Sequence, residues 1–80
     1  MGSVSIKLTR RMQSQSRVIA KGKNIRDVKR LVEQYGGRAS KWTKKSSPEI
    51  EIAGKGIEYH WYEYPGIGRF EVKEVQINQP

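Results

Sequence analysis

Ile57-Glu58-Tyr59-His60-Trp61-Tyr62-Glu63-Tyr64, followed by Pro65-Gly66-Ile67-Gly68, is the stretch on which the fold turns. Aromatic residues crowd it and a Pro-Gly pair closes it, so it reads as a strand running into a hairpin turn. Alternation sends Ile57, Tyr59 and Trp61 to one face and Glu58, His60, Tyr62 and Tyr64 to the other. The first set is the more apolar, and the expectation is that a helix covers it. His60, the one histidine of the chain, then lies on the open face beside Glu58 and Tyr62.

Strand signals continue on both sides. Ile50 and Ile52 alternate with Glu49 and Glu51 ahead of a Gly54-Lys55-Gly56 turn. Downstream, Phe70 and Val72 share one parity while Val75 and Ile77 share the other, which predicts a β-bulge near Lys73-Glu74. Upstream, Asn24 is an N-cap candidate with Asp27 three residues on, and Ile25, Val28, Leu31, Val32 and Tyr35 recur at helical spacing. Gly36-Gly37 ends that helix in a left-handed stop. Arg10 to Ser16 is polar and reads as a loop or frayed turn, and Val18-Ile19-Ala20 as a strand or a lead into the helix. Val4, Ile6 and Leu8 alternate as an N-terminal strand. Met1-Gly2-Ser3 reads as an expression scar and residues 78–80 as a tail. The expected fold is α+β: one small domain over residues 4–77, with one main helix packed on an antiparallel sheet of three to four strands in the order β-α-β-β-β.

Eighty residues without a cysteine leave one compact core as the main source of stability, and exclude disulfides, thiolate nucleophiles and thiolate metal sites. No apolar run approaches the length of a membrane span. The charge is unevenly placed. Residues 1–47 carry 13 lysines and arginines against Asp27 and Glu33, a net +11. Residues 48–80 carry Lys55, Arg69 and Lys73 against six glutamates, a net −3. Such a cationic half attracts polyanions, and RNA or another nucleic acid is the leading partner. The plain alternative is a solubilising surface with no specific ligand.

The residue types limit the chemistry. One aspartate, one histidine and scattered glutamates suit neither a nuclease metal pair nor a zinc site, so neither metal nor cofactor is expected. The Gly-Lys-Gly and Gly-Ile-Gly turns are too short for a phosphate-binding loop. What remains is acid/base work on a phosphodiester. That needs a base for the 2′-hydroxyl, an acid for the leaving oxygen, and cations for the charged phosphorane. His60 is the acid/base candidate, Glu58 its orienting carboxylate and Tyr62 a second donor. Arg69 and Lys73 on the next strand are candidates to hold the phosphate. Lys41, Lys44 and Lys45, with Arg38 and Arg30, supply backbone contacts. Trp42 sits among the lysines, equally readable as a base-stacking platform or as a lid on the core.

The helix ending in Gly-Gly, the Lys41-Trp42-Thr43-Lys44-Lys45 stretch, His60-Trp61-Tyr62-Glu63 and Gly68-Arg69-Phe70-Glu71-Val72-Lys73 together resemble the C-terminal toxin domains of bacterial polymorphic and contact-dependent toxins. The resemblance runs from about Ile25 to Val75. It implies a metal-independent ribonuclease similar to the barnase–EndoU–colicin–RelE group, acting in the cytoplasm of a target cell. It also implies a dedicated immunity or antitoxin protein as partner, and a chain that is either complete or the exported tip of a larger toxin. A looser resemblance, resting on the helix-Gly-strand-strand order with a central histidine, is to HicA toxins, which act on mRNA. Two readings without catalysis stay open beside these: a nucleic-acid-binding module using the basic half and Trp42, and a protein-interaction domain using the aromatic strand.

Overall fold

The computed structural model describes residues 8–77. Of the expected strand at Val4, Ile6 and Leu8, the first two lie outside the described residues, as do the N-terminal tripeptide and the tail at 78–80, and Leu8 belongs to no strand. A short helix α1 (Arg10–Ser14) is followed by strand β1 (Arg17–Lys21), a 3-10 turn (Gly22–Asn24) and the main helix α2 (Val28–Tyr35). A second 3-10 turn (Ala39–Lys41) leads to β2 (Thr43–Ser46), β3 (Ile50–Ile52), β4 (Lys55–Tyr64) and β5 (Gly68–Ile77). The fold is α+β with an antiparallel sheet, as expected. Its described elements run α-β-α-β-β-β-β, and the sheet has five strands rather than three or four.

Strand β4 organises the sheet. Strand β5 pairs along one edge of it, from Gly56↔Ile77 to Tyr64↔Gly68. The other edge is shared: β3 pairs with its first residues and β2 with Glu63 back to His60. These two partners behave as one strand interrupted at Ser47-Pro48-Glu49. Pro48 has no N–H for a ladder, and Ser47 bridges the gap. Its N–H donates to the Tyr59 carbonyl and its Oγ accepts from the Tyr59 N–H, both at 2.9 Å. Strand β1 pairs outside β2.

Helix α2 starts later than the spacing predicts. Asn24 belongs to the 3-10 turn, Ile25 is extended, and Asp27 holds the N-cap position without a side-chain cap. Gly22, at φ +57° and buried against Ala39 and Ser40, allows the sharp exit from β1. The helix end is as predicted, with Gly36 and Gly37 at φ +90° and +83°.

The core corrects the expected choice of face. Ile25, Leu31 and Trp42 form a buried cluster, against which Val28, Val32, Tyr62, Tyr64 and Phe70 pack. Helix α2 therefore covers the Tyr62/Tyr64 side of β4, not the Ile57/Tyr59/Trp61 side. The latter three are buried too, on the opposite face. Both faces of this strand carry large rings, and a tyrosine buries its ring while its hydroxyl finds a partner. Tyr64 does so: its ring meets Trp42 edge-on at 5.1 Å while its hydroxyl accepts from the Arg38 N–H at 3.0 Å.

Strand β5 holds the predicted bulge, displaced by two residues. The register slips between His60 and Tyr62, placing two residues, Glu71 and Val72, opposite Trp61. Glu71 takes φ +57°, unusual for a residue with a side chain. The slip brings Phe70, Val75 and Ile77 onto one face. Val72 is left exposed.

Candidate functional site

His60 projects from the middle of β4 into a pocket of about 240 Å³ at the open end of α2. Asp27 and Arg30 reach it from the helix and its N-cap, Lys44 from β2, Tyr62 from β4, and Glu71, Val72 and Lys73 from the bulged strand. Strand register explains the grouping. His60 pairs with Ser46 on one side and Lys73 on the other, and Tyr62 pairs with Lys44. The Lys44 ammonium lies 5.8 Å from the Tyr62 ring centroid.

The imidazole is held by its strand neighbour. His60 Nε2 lies 2.9 Å from Glu58 Oε1. The Ser46 hydroxyl, on a fully buried residue, donates to the same oxygen at 2.9 Å, and Arg17 approaches Oε2 at 3.4 Å. His60, Ser46 and Arg17 hold the Glu58 carboxyl below its ordinary range, with burial opposing them. An ionised Glu58 takes the Nε2 proton as a hydrogen bond, which leaves Nδ1 as the acceptor of the neutral ring. This is a base with a built-in orienter.

The opposite wall is an anchored cation. Arg30 grips Glu71 through two bonds of 2.8 and 2.9 Å and stands 3.7 Å from Asp27. The Tyr35 hydroxyl donates to Glu71 at 2.7 Å. Arg30 and Tyr35 bring the Glu71 carboxyl down to about 2. Tyr62, its ring packed against the core, donates to Asp27 over a long 3.4 Å. Burial and the Asp27 charge push its hydroxyl up, so it stays a proton donor.

Comparison with family models, with curated proteins and with solved structures finds no match to this chain.

The structure gathers some of the expected site residues and disperses others. Glu58, His60, Tyr62 and Lys73 share one face of the sheet, and Arg30 and Lys44 join them at the pocket. Arg69 does not: it pairs with Glu63, on the face of Trp61. The bulge is the reason, since one extra residue puts Arg69 and Lys73, four apart, on opposite faces. Lys45 also points away and binds Glu63 at 3.1 Å. Burial would raise Glu63, but hydrogen bonds from Trp61 and Lys45 prevail and lower it. Lys41 and Arg38 sit beyond the helix end, in and before the second 3-10 turn. Trp42 is a core residue, 1% exposed, its indole N–H donating to the Gly36 carbonyl at 3.2 Å, so its faces offer no platform for a base.

Ser46, Arg17 and Asp27 enter the site without having been expected as members, whereas Glu71, like Arg69 and Lys73, lies on the strand expected opposite His60. Asp27 read as a helix-start residue, and no local pattern singles out Ser46 or Arg17. Among the described residues, no group of three or more histidine, aspartate or glutamate side chains converges closely enough for a metal ion. No described helix is long and apolar enough to cross a membrane.

Proposed function

We propose that the His60 pocket binds and cleaves RNA without a metal. The observation that carries the reading is the Glu58–His60 pair at 2.9 Å, opening on a pocket to which Lys44 and Lys73 bring positive charge beside the Arg30–Glu71 pair and Asp27. In this mechanism His60 Nδ1 takes the proton of the 2′-hydroxyl, and the 2′-oxygen attacks phosphorus. The bond from phosphorus to the 5′-oxygen breaks, and that oxygen takes a proton from the Tyr62 hydroxyl. The protonated His60 then restores Tyr62 through solvent. The products are a 2′,3′-cyclic phosphate and a 5′-hydroxyl. Lys44 and Lys73 neutralise the equatorial oxygens as charge develops.

The test is cleavage of total RNA by the purified domain in EDTA, beside a His60→Ala variant. Wild type is expected to cut, and the variant to lose about 10²–10⁴-fold in rate while binding RNA within about twofold of wild type. Undiminished cleavage by the variant would overturn the assignment of His60. Salt-dependent binding with no cleavage by wild type would replace the enzyme with a nucleic-acid-binding module.

A further inference from the structure

A second, smaller pocket of about 140 Å³ lies beside the first, lined by Tyr35, Gly36, Gly37, Trp42, Tyr64, Ile67 and Phe70. Four of its seven lining residues are aromatic. Tyr35 stands 4.5 Å from Phe70 and 6.0 Å from Trp42 by ring centroids, and Trp42 meets Phe70 at 5.1 Å. Tyr35 is 39% exposed and Ile67, on the β4–β5 turn, 70% exposed. These two form the open rim, with the buried Trp42 as floor. The third wall is backbone, because Gly37 lies so close to Tyr64 that any side chain there would strike the ring.

Three observations say what this slot accepts. It is lined by four aromatic rings, tilted or edge-on to one another, with the Tyr35 ring partly exposed to receive a planar π-system. Arg38 and Lys41 adjoin the lining residues Gly37 and Trp42 in the chain, which disfavours a cationic guest and favours a group carried on a polyanion. It also adjoins the His60 pocket: Phe70 lines one cavity, the next residue, Glu71, lines the other, and the Tyr35 hydroxyl bonds Glu71 across the divide. A nucleotide joins a planar ring to a phosphate over a similar short span.

We infer that the slot between Tyr35 and Ile67 is a nucleobase subsite, taking the base next to the phosphate held in the His60 pocket. This rests on the reading of the His60 pocket as a phosphodiester site. The base stacks on the exposed Tyr35 ring and packs its edge on Ile67, while Trp42 shapes the floor without being a stacking partner. The subsite thereby selects a nucleotide with an unstacked base over a bare phosphate, and single-stranded RNA over duplex.

The experiment is a titration followed by NMR, reading the Trp42 indole N–H for the slot and the His60 ring protons for the pocket. The probes are inorganic phosphate, an uncharged nucleoside, and a deoxydinucleotide, which lacks the 2′-hydroxyl needed for cleavage. Phosphate is expected to move the His60 signals alone, and the dinucleotide both sets. Tyr35→Leu should bind the dinucleotide about tenfold more weakly than Tyr35→Phe, while the two variants, which both lose the bond to Glu71, bind phosphate alike. Tyr35→Phe, which keeps the ring and loses only the bond to Glu71, should bind the dinucleotide like wild type. A dinucleotide that moves only the His60 signals, or that binds Tyr35→Leu as tightly as Tyr35→Phe, would overturn the subsite. If dinucleotide and nucleoside move the Trp42 signal but nothing moves His60, the subsite stands and the phosphodiester reading of the pocket falls.

Discussion

Glu71 combines three unusual properties: a left-handed backbone, a two-pronged bond to Arg30, and a carboxyl at about 2 rather than near its ordinary 4.5. A group whose folded value is depressed stabilises the fold above its ordinary value and loses that contribution as pH falls through the folded value. Glu71 therefore contributes fully above about pH 4.5, and the contribution is gone near pH 2. Glu71→Gln is expected to lower the melting temperature at pH 7, with the gap from wild type closing between pH 4.5 and 2. Thermal unfolding by circular dichroism across that range checks it, and a gap that widens on acidification would contradict the role given to the Arg30 pair. Glu58 follows the same sign, since its carboxyl is also held down.

At the scale of elements, the bulge of β5 decides which cations serve the site. Lys73 faces His60 across the sheet, and Arg69 faces Glu63 on the reverse. Lys73→Ala is expected to weaken RNA cleavage by about tenfold, the loss of one charge-assisted contact, while Arg69→Ala stays within about twofold. Equal losses from both, measured as kcat/KM, would mean that the bulge does not separate them. Trp42 is likewise placed by the sheet. Its placement among lysines suits a surface aromatic, yet β2 carries its neighbours into the sheet while the ring joins Leu31 and Ile25 in the core. Trp42→Ala is expected to cost about 3–5 kcal/mol in urea unfolding, most of the stability of so small a domain. A variant that keeps its stability and loses only RNA binding would restore Trp42 as a contact residue.

For the whole molecule, charge is what the fold rearranges most. Along the sequence the halves differ by sign; in the structure Arg17 binds Glu58, Arg30 binds Glu71 and Lys45 binds Glu63. Each of these pairs joins a cation of the first half to a carboxylate of the second. The cations left to meet a polyanion are accordingly fewer than the net charge suggests. RNA affinity is expected to fall with salt, and Lys44→Ala to reduce the log–log slope by about 0.7, the value of one phosphate contact on a single strand. Filter binding between low and moderate salt measures both, and an affinity indifferent to salt would remove the electrostatic argument.

The fold class, the long aromatic strand, the Gly-Gly end of the helix, and the sharing of one face by Glu58, His60 and Tyr62 are legible in the order of the residues. All of these follow from local rules: strand alternation, helical spacing and the freedom of glycine at positive φ. Tertiary structure alone decided which face the helix covers, because both faces of β4 carry rings large enough to fill a core. It also decided the position of the bulge, which turns Arg69 away from His60, and the pairing of β2 with β4, which brings Lys44 in. A bulge shifts the parity of everything beyond it, and its place is set by how the two strands and the helix pack together rather than by any single residue of β5. The Ser46 and Arg17 contacts to Glu58 have the same origin, joining residues 12 and 41 positions apart through a strand pairing that no local pattern announces.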